Sequence, residues 1–269
     1  MHLKRWITSI IALPLLFLLI VKGPPFLFAV FVGAVCLIAL WEYFGIVFHP
    51  LGPDKRIMMP GLGFLIGSFI IFAAYRNSFQ LMMGLVSLNL LLAGLISLFD
   101  FKTDKDVMQH VYKQVLGVVY IPFFLSFLVL IRNGESGAIW ICFLLCIIFA
   151  GDTAAYYVGT YFGKHKLCPA VSPKKTFEGA IGGLLANLLV GALFKTIFLT
   201  AGSWVGSILF FLSVGIAGQV GDLFESEHKR LAGIKDSSGI LPGHGGVLDR
   251  FDALLFAAPA AYFFKAYLL

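Results

Sequence analysis

Run after run of apolar residues, each close to the roughly 20 needed to cross a bilayer, constrains this chain more than any other feature. Nine such segments can be read, near Trp6–Val21, Pro25–Val47, Ile57–Tyr75, Leu81–Phe99, Val115–Ile131, Gly137–Phe162, Ala180–Thr200, Val205–Phe224 and Phe251–Leu269. The composition agrees. Hydrophobic residues make up 59% of the 269 positions, charged residues 13%, and the mean hydropathy is +0.93, where soluble domains carry about 25% charged residues. The fold class expected is an all-α integral membrane protein with about nine transmembrane helices. It forms a single polytopic domain over residues 1–269, with 1–131 a helical scaffold and 132–269 the catalytic helices and loops.

The first segment has the basic start of a signal peptide, Lys4 and Arg5. No small-residue cleavage site follows it, and Lys22, Gly23, Pro24 and Pro25 lead directly into the next run, so it is read as a helix. Cationic residues orient the whole. With the N-terminus cytoplasmic and the spans alternating, one side holds Lys4, Arg5, Lys55, Arg56, Lys102, Lys105, Lys113, Lys164, Lys166, Lys174, Lys175, Lys229, Arg230, Lys235 and Arg250. The other side holds Lys22, Arg76 and Arg132, with Lys195 and Lys265 near outer helix ends. The positive-inside rule predicts such an asymmetry, so the expected topology is N-terminus in, C-terminus out. The net charge of +6 is explained by this arrangement and does not point to nucleic acid. Cys36, Cys142, Cys146 and Cys168 show no CxxC spacing, which indicates neither a zinc site nor a disulfide framework. Asp100–Gln114 has Val107, Met108, Val111 and Tyr112 at helical spacing, a pattern that suits a helix lying in the interface, with an ordinary solvated loop as the alternative.

Chemistry gathers in the second half. Charged groups are costly in a bilayer and mark function when present. The first half offers only Glu42, a lone acid beside Trp41 and Tyr43. Asp152 lies late in the sixth segment. Ser172-Pro173-Lys174-Lys175-Thr176-Phe177-Glu178 sits in a loop directly before a helix. Ser172 or Thr176 can cap that helix, with Glu178 in its first turn, and two lysines beside such a start form an anion site. The spacing is not that of a Walker A loop.

The densest polar stretch is Gly221–Asp252. Asp222, Glu225, Ser226 and Lys229 stand at i, i+3, i+4 and i+7, which places them on one helical face. Asp249 and Asp252 open the last helix with Arg250 between them. The intervening loop carries Lys235, Asp236, Ser237, Ser238, His244, Gly245 and Gly246, and its glycines allow close backbone approach to an anionic ligand. Carboxylates from two helix ends suit Mg²⁺, which binds one or two carboxylates together with substrate phosphates. Metal, phosphate and surrounding cations are what phosphoryl-type transfer requires. His244 is expected to bind phosphate or shape the loop, since an ionised phosphate nucleophile needs no general base. His110, His165 and His228 are given no role.

At these residues the sequence resembles the phosphatidate cytidylyltransferases, the CDP-diacylglycerol synthases. The family signature is met by Ser226, Lys229, Arg230, Lys235, Asp236, Pro242, His244, Gly245, Gly246, Asp249, Arg250 and Asp252. His228 stands where the family usually has an apolar residue. The GDTAAYYVGTYFGK and SPKKTFEG segments also look like this family, so the resemblance covers about Gly151 onward. It implies that CTP and phosphatidate give CDP-diacylglycerol and pyrophosphate, with Mg²⁺ and room for a second cation. It implies Asp222 and Asp249 at the metal centre with Asp252 close by, and Asp152 at the floor of a polar cavity. Lys174, Lys175, Lys229, Arg230, Lys235 and Arg250 would grip the phosphates. Catalytic roles are thus expected at Asp222, Asp249, Asp252, Lys229, Lys235 and Asp152. The expected substrate-binding set is completed by Ser172, Thr176, Glu178, Glu225, Ser226, Asp236, His244, Gly245 and Gly246. The partners implied are CTP, phosphatidate and membrane lipids, with a homodimer as one assembly. A CTP-dependent polyprenol kinase and an anionic-solute transporter are carried as alternatives; a CDP-alcohol phosphotransferase lacks its DGxxAR motif here.

Overall fold

The structure, a computed structural model, describes residues 13–48, 58–199, 203–241, 243 and 245–267. Residues 13–21 are helical (α1), followed by α2 Pro25–Val47, α3 Met58–Tyr75, α4 Phe79–Asp100, α5 Val107–Val118, α6 Phe124–Asn133 and α7 Gly137–Phe162. A hairpin of β1 Lys166–Cys168 and β2 Ser172–Thr176 then leads into α8 Phe177–Phe198, α9 Trp204–Leu231 and α10 Leu248–Tyr267. The start of the first expected span, with Lys4 and Arg5, lies outside the described residues, as do Lys55 and Arg56. The all-helical expectation is corrected at one place. The segment expected as a loop is a short antiparallel hairpin, with Lys166 facing Thr176 and Cys168 facing Ser172.

Among the described residues seven helical segments are long and apolar enough to cross a membrane, running from α2 to α9. The chain is a multi-pass helical membrane protein. α10 is 20 residues long but opens on Asp249, Arg250 and Asp252 and ends near Lys265, so its composition is not that of a simple span.

Local chemistry explains several boundaries. α2 starts with Pro25 at its first position, where a missing N–H costs nothing. Ser78 caps α4 by accepting from the Leu81 amide at 3.3 Å. The polar stretch after α4 does not form a separate interface helix. It runs on through one π turn, Val119–Phe123, into α6, making a continuous segment Val107–Asn133. Two features allow this. Pro122 lies inside the widened turn, which accommodates a residue that can neither donate nor fit a regular turn. Gln114, fully buried, exchanges hydrogen bonds of 2.8 and 3.2 Å with Asn89 of α4. Each amide thereby satisfies the other, and α5 can bury its polar face.

Two helix pairs set the scaffold for chemistry: α7 against α8, and α9 against α10. Gly221 permits the second. A Cβ there would come within 2.5 Å of the Asp252 carbonyl oxygen, so only glycine lets the backbones approach closely enough to bring Asp222 beside Asp252. Gln219 of α9 donates to the Ala180 carbonyl of α8 at 3.0 Å, linking the two pairs. At the far end of the bundle Arg132 of α6 donates to the carbonyls of Ile20 and Gly23 at 3.0 and 2.9 Å, fastening α1 to the rest.

Candidate active site

The site forms where the end of α9 meets the start of α10, with α7 and the hairpin on one side and α2 on the other. Its centre is Lys229. This buried ammonium bridges Glu225 at 2.5 Å and Asp249 at 2.6 Å. Lys229 and Glu225 sit one helical turn apart, so the helix itself creates the pair, and α10 supplies the third member. Removing two carboxylates and a lysine from water is expensive, and it is tolerated only when the charges pair and hydrogen-bond.

Asp249 meets that condition fully. One of its oxygens takes Lys229; the other accepts from the Ser237 amide and hydroxyl, both at 2.9 Å, and from the Gly246 amide at 2.7 Å. Gly245, with φ of +81°, turns the backbone so that this amide faces inward, a conformation that favours glycine. Asp249 therefore organises the loop between α9 and α10.

A second acid does the same from the opposite direction. Glu42 of α2 is 2% exposed. Its carboxylate accepts from the Val247 and Leu248 amides at 2.9 and 2.6 Å and from the Ser238 hydroxyl, and it lies 3.1 Å from the Ser237 hydroxyl, whose single proton it shares with Asp249. Those amides begin α10, where a negative charge is favoured by the helix dipole. The sequence marked Glu42 only as a lone acid in an apolar segment. Its partners lie about 200 positions further on, and no spacing rule links them.

A second group of carboxylates lies alongside this network. Asp152, Asp222 and Asp252 act on one another electrostatically. Lys175 of β2 pairs with Asp222 at 2.7 Å, and Ser226 donates to the same carboxylate at 3.4 Å. Among the described residues, no three acids, histidines or cysteines are arranged to hold a metal ion. The trio expected as metal ligands is thus divided: Asp249 is engaged by Lys229 and the loop, whereas Asp222 and Asp252 stand together with Asp152. These three present carboxylate oxygens alone, the donor type a hard cation such as Mg²⁺ takes, and their mutual repulsion is what a cation would relieve.

The other expected residues divide in the same way. Thr176 caps α8, accepting from the Gly179 amide at 3.1 Å, while Ser172 opens β2. Glu178 accepts from the amides of Lys164 and His165, at 3.1 and 3.2 Å, and meets the His165 ring at 2.6 Å. It ties the base of the hairpin, and His165 acquires a structural role that its sequence did not show. Arg230 donates to the carbonyls of Val171 and Ile234 at 3.1 and 3.0 Å, joining the hairpin turn to the loop after α9. Lys174, Lys235, Asp236 and Arg250 are exposed around the site, and Gly246 is buried beneath it. His244 and Pro242 lie outside the described residues. His228 sits among Tyr43, Tyr120 and Phe224 and stacks on Tyr120, with ring centroids 6.1 Å apart and planes 11° from parallel.

Fold and site together define a class: a multi-pass helical membrane protein with acidic and basic side chains gathered at one end of α7–α10. The comparisons with known proteins make it particular. The model of the cytidylyltransferase family matches residues 3–268, and the chain belongs to that family. It is 32% identical over 269 residues to the phosphatidate cytidylyltransferase of Bacillus subtilis (strain 168), covering 98% of this chain and 97% of that one. It is 33% identical over 257 residues to the enzyme of the same name from Staphylococcus aureus (strain COL), covering 95% of each. With the Mycobacterium bovis protein of that name the identity is 37% over 157 residues, 58% of this chain and 51% of the other. The family expected from the signature is borne out.

Proposed function

We propose that this protein transfers the cytidylyl group of CTP to phosphatidate, forming CDP-diacylglycerol and releasing pyrophosphate. The observation that carries the reading is near end-to-end similarity to proteins named for that activity, in a chain whose carboxylates and lysines gather at one end of its helices. In the reaction an oxygen of the phosphatidate phosphate attacks the α-phosphorus of CTP. A new P–O–P bond forms as the bond between the α-phosphorus and the bridging oxygen breaks, and pyrophosphate departs with that electron pair. The nucleophile is already ionised at neutral pH, so the protein's task is positioning and charge neutralisation.

Asp222 and Asp252 are the two carboxylates that would hold Mg²⁺ together with substrate phosphate oxygens, and the ion would supply neutralisation of the phosphate charge. Lys175 sits against Asp222 and is placed to exchange that carboxylate for a substrate phosphate, with Lys174, Lys235 and Arg250 around it. Lys229, Asp249 and Glu42 act indirectly, by holding the loop and the start of α10 in place. The site is assigned to the cytoplasmic face, because Lys174, Lys175, Lys229, Arg230, Lys235 and Arg250 lie together at this end.

Pyrophosphate release by the detergent-purified protein, given phosphatidate, Mg²⁺ and each of CTP, ATP, GTP and UTP in turn, tests the reaction. Release that requires both CTP and phosphatidate is expected. Formation of a nucleoside diphosphate instead would replace this reading with a lipid kinase. Labelling of Cys168, in β1 beside the site, by an impermeant maleimide in inverted but not right-side-out vesicles tests the orientation.

A further inference from the structure

Two buried polar groups beside the acidic site have hydrogen-bonding capacity that the protein itself does not fill. The first is the hydroxyl of Tyr120. This side chain is 2% exposed, yet its oxygen has no hydrogen-bond partner in the protein. Its neighbour Tyr43, just as buried, donates to the Lys113 carbonyl at 3.0 Å. The second is Glu225, 1% exposed. One of its oxygens meets Lys229 at 2.5 Å, and the other accepts no hydrogen bond from the protein. Leaving such groups unmet is costly, and native proteins satisfy them with internal water or keep them for a site.

The two groups belong to one place. The Tyr120 ring lies 5.1 Å from Phe224 and 6.1 Å from His228 on α9, and 6.0 Å from Phe256 on α10. Glu225 follows Phe224 and precedes His228 by one turn, and Phe256 comes one turn after Asp252, so these contacts bring the ring alongside both acids. Of the charges around the Tyr120 hydroxyl, Glu225 acts on it most strongly and Asp252 next. The backbone is shaped to the same end. Tyr120 is the second residue of the π turn Val119–Phe123, a widening of the kind that recurs at functional sites, and the rings packed around it hold the phenol in place. A phenol donor and a carboxylate oxygen that make no direct hydrogen bond, with a second carboxylate close by, are the partners an internal water takes.

We propose that Tyr120 is a positioning residue of the acidic site, whose hydroxyl holds one internal water that bridges to Glu225 and Asp252. The phenol donates to the water, and the water's two protons go to the two carboxylates. The bridge keeps Glu225 turned to Lys229 and sets the carboxylate of Asp252, so its effect on turnover rests on the role given to Asp252 above. Tyr120→Phe removes the hydroxyl and keeps the packed ring. A structure of the full-length protein fine enough to show ordered water should have one water within hydrogen-bonding distance of the Tyr120 hydroxyl and Glu225, and Tyr120→Phe should lack it. In the pyrophosphate assay kcat should fall roughly tenfold, with KM for CTP unchanged. Glu225→Gln should cost much less in the Tyr120→Phe background than in wild type, because residues that share one water act as a unit. A wild-type structure without this water would overturn the proposal. So would an unchanged kcat in Tyr120→Phe, or effects of the two variants that simply add. A wild type with no CTP-dependent turnover would instead sink the reaction proposed above, and the water in the structure would then decide this inference alone.

Discussion

The helices before Ile131 and those after it solve opposite problems with the same kind of apolar sequence. In α2 to α6 buried side-chain amides satisfy one another, as in the Asn89–Gln114 pair, and the product is a largely apolar wall. In α7 to α10 the charges are kept in surplus: Asp152, Asp222 and Asp252 crowd together with Lys175 as their adjacent cation. One carboxylate crosses the division. Glu42 belongs to the wall by sequence and to the site by contact, gripping the loop that leads into α10. The comparison teaches that the scaffold does more than shelter the site, since it sets the entry of the helix on which Asp249 and Asp252 stand.

The sharpest way to break this division is at Asp249. Asp249→Asn leaves Lys229 paired with Glu225 alone and loosens Ser237 and Gly246. Turnover should fall by about 100-fold, the upper end of what removing a group that orients site residues costs, as measured by pyrophosphate release on protein that still elutes as a single species. Lys175→Ala should act on binding, raising KM for CTP by roughly tenfold or more with a smaller change in kcat; an unchanged KM would remove Lys175 from the substrate side.

Glu42→Gln tests the crossing point itself. It should lower kcat by about tenfold, with KM for CTP nearly constant, and speed hydrogen exchange at the Val247 and Leu248 amides, because a neutral amide oxygen accepts more weakly than a carboxylate. Glu42→Asp should recover part of both. If exchange rises while kcat stays at the wild-type value, the scaffold is only a wall. The smallest catalytic effect belongs to Gln114→Leu, which strands the Asn89 amide. It should destabilise the protein by about 1–3 kcal/mol, seen as a lower unfolding temperature, with kcat and KM for CTP unchanged.

Much of this was legible beforehand because it rests on local pattern. Apolar length alone located α2, α3, α4, α7 and α8 to within about three residues, α7 at its expected bounds of Gly137 and Phe162, but it missed the polar start of the Val107–Asn133 segment and the polar end of α9, which runs on to Leu231. The 3.6-residue period put Asp222, Glu225, Ser226 and Lys229 together on α9. A side-chain cap for α8 followed from the capacity of Ser172 or Thr176 to accept a backbone N–H, and the structure selects Thr176. The hairpin did not follow, because its eight strand residues have no apolar alternation; it is held by pairing and by Glu178 beneath its base. Nor did the continuity of α5 into α6, which depends on a partner for Gln114 that only packing reveals.

What the sequence by itself determined is the membrane character, the helical faces and the inventory of charge, since bilayer thickness and helix periodicity act on neighbours along the chain. Which acid does what was decided only by tertiary structure. Asp249 and Asp252 are three positions apart, yet one is engaged by Lys229 and loop donors while the other joins Asp152 and Asp222. Glu42, some 200 residues away, completes the loop. The free energy of a buried carboxylate depends on which cations and N–H groups surround it in space, and no local pattern in the chain encodes that neighbourhood.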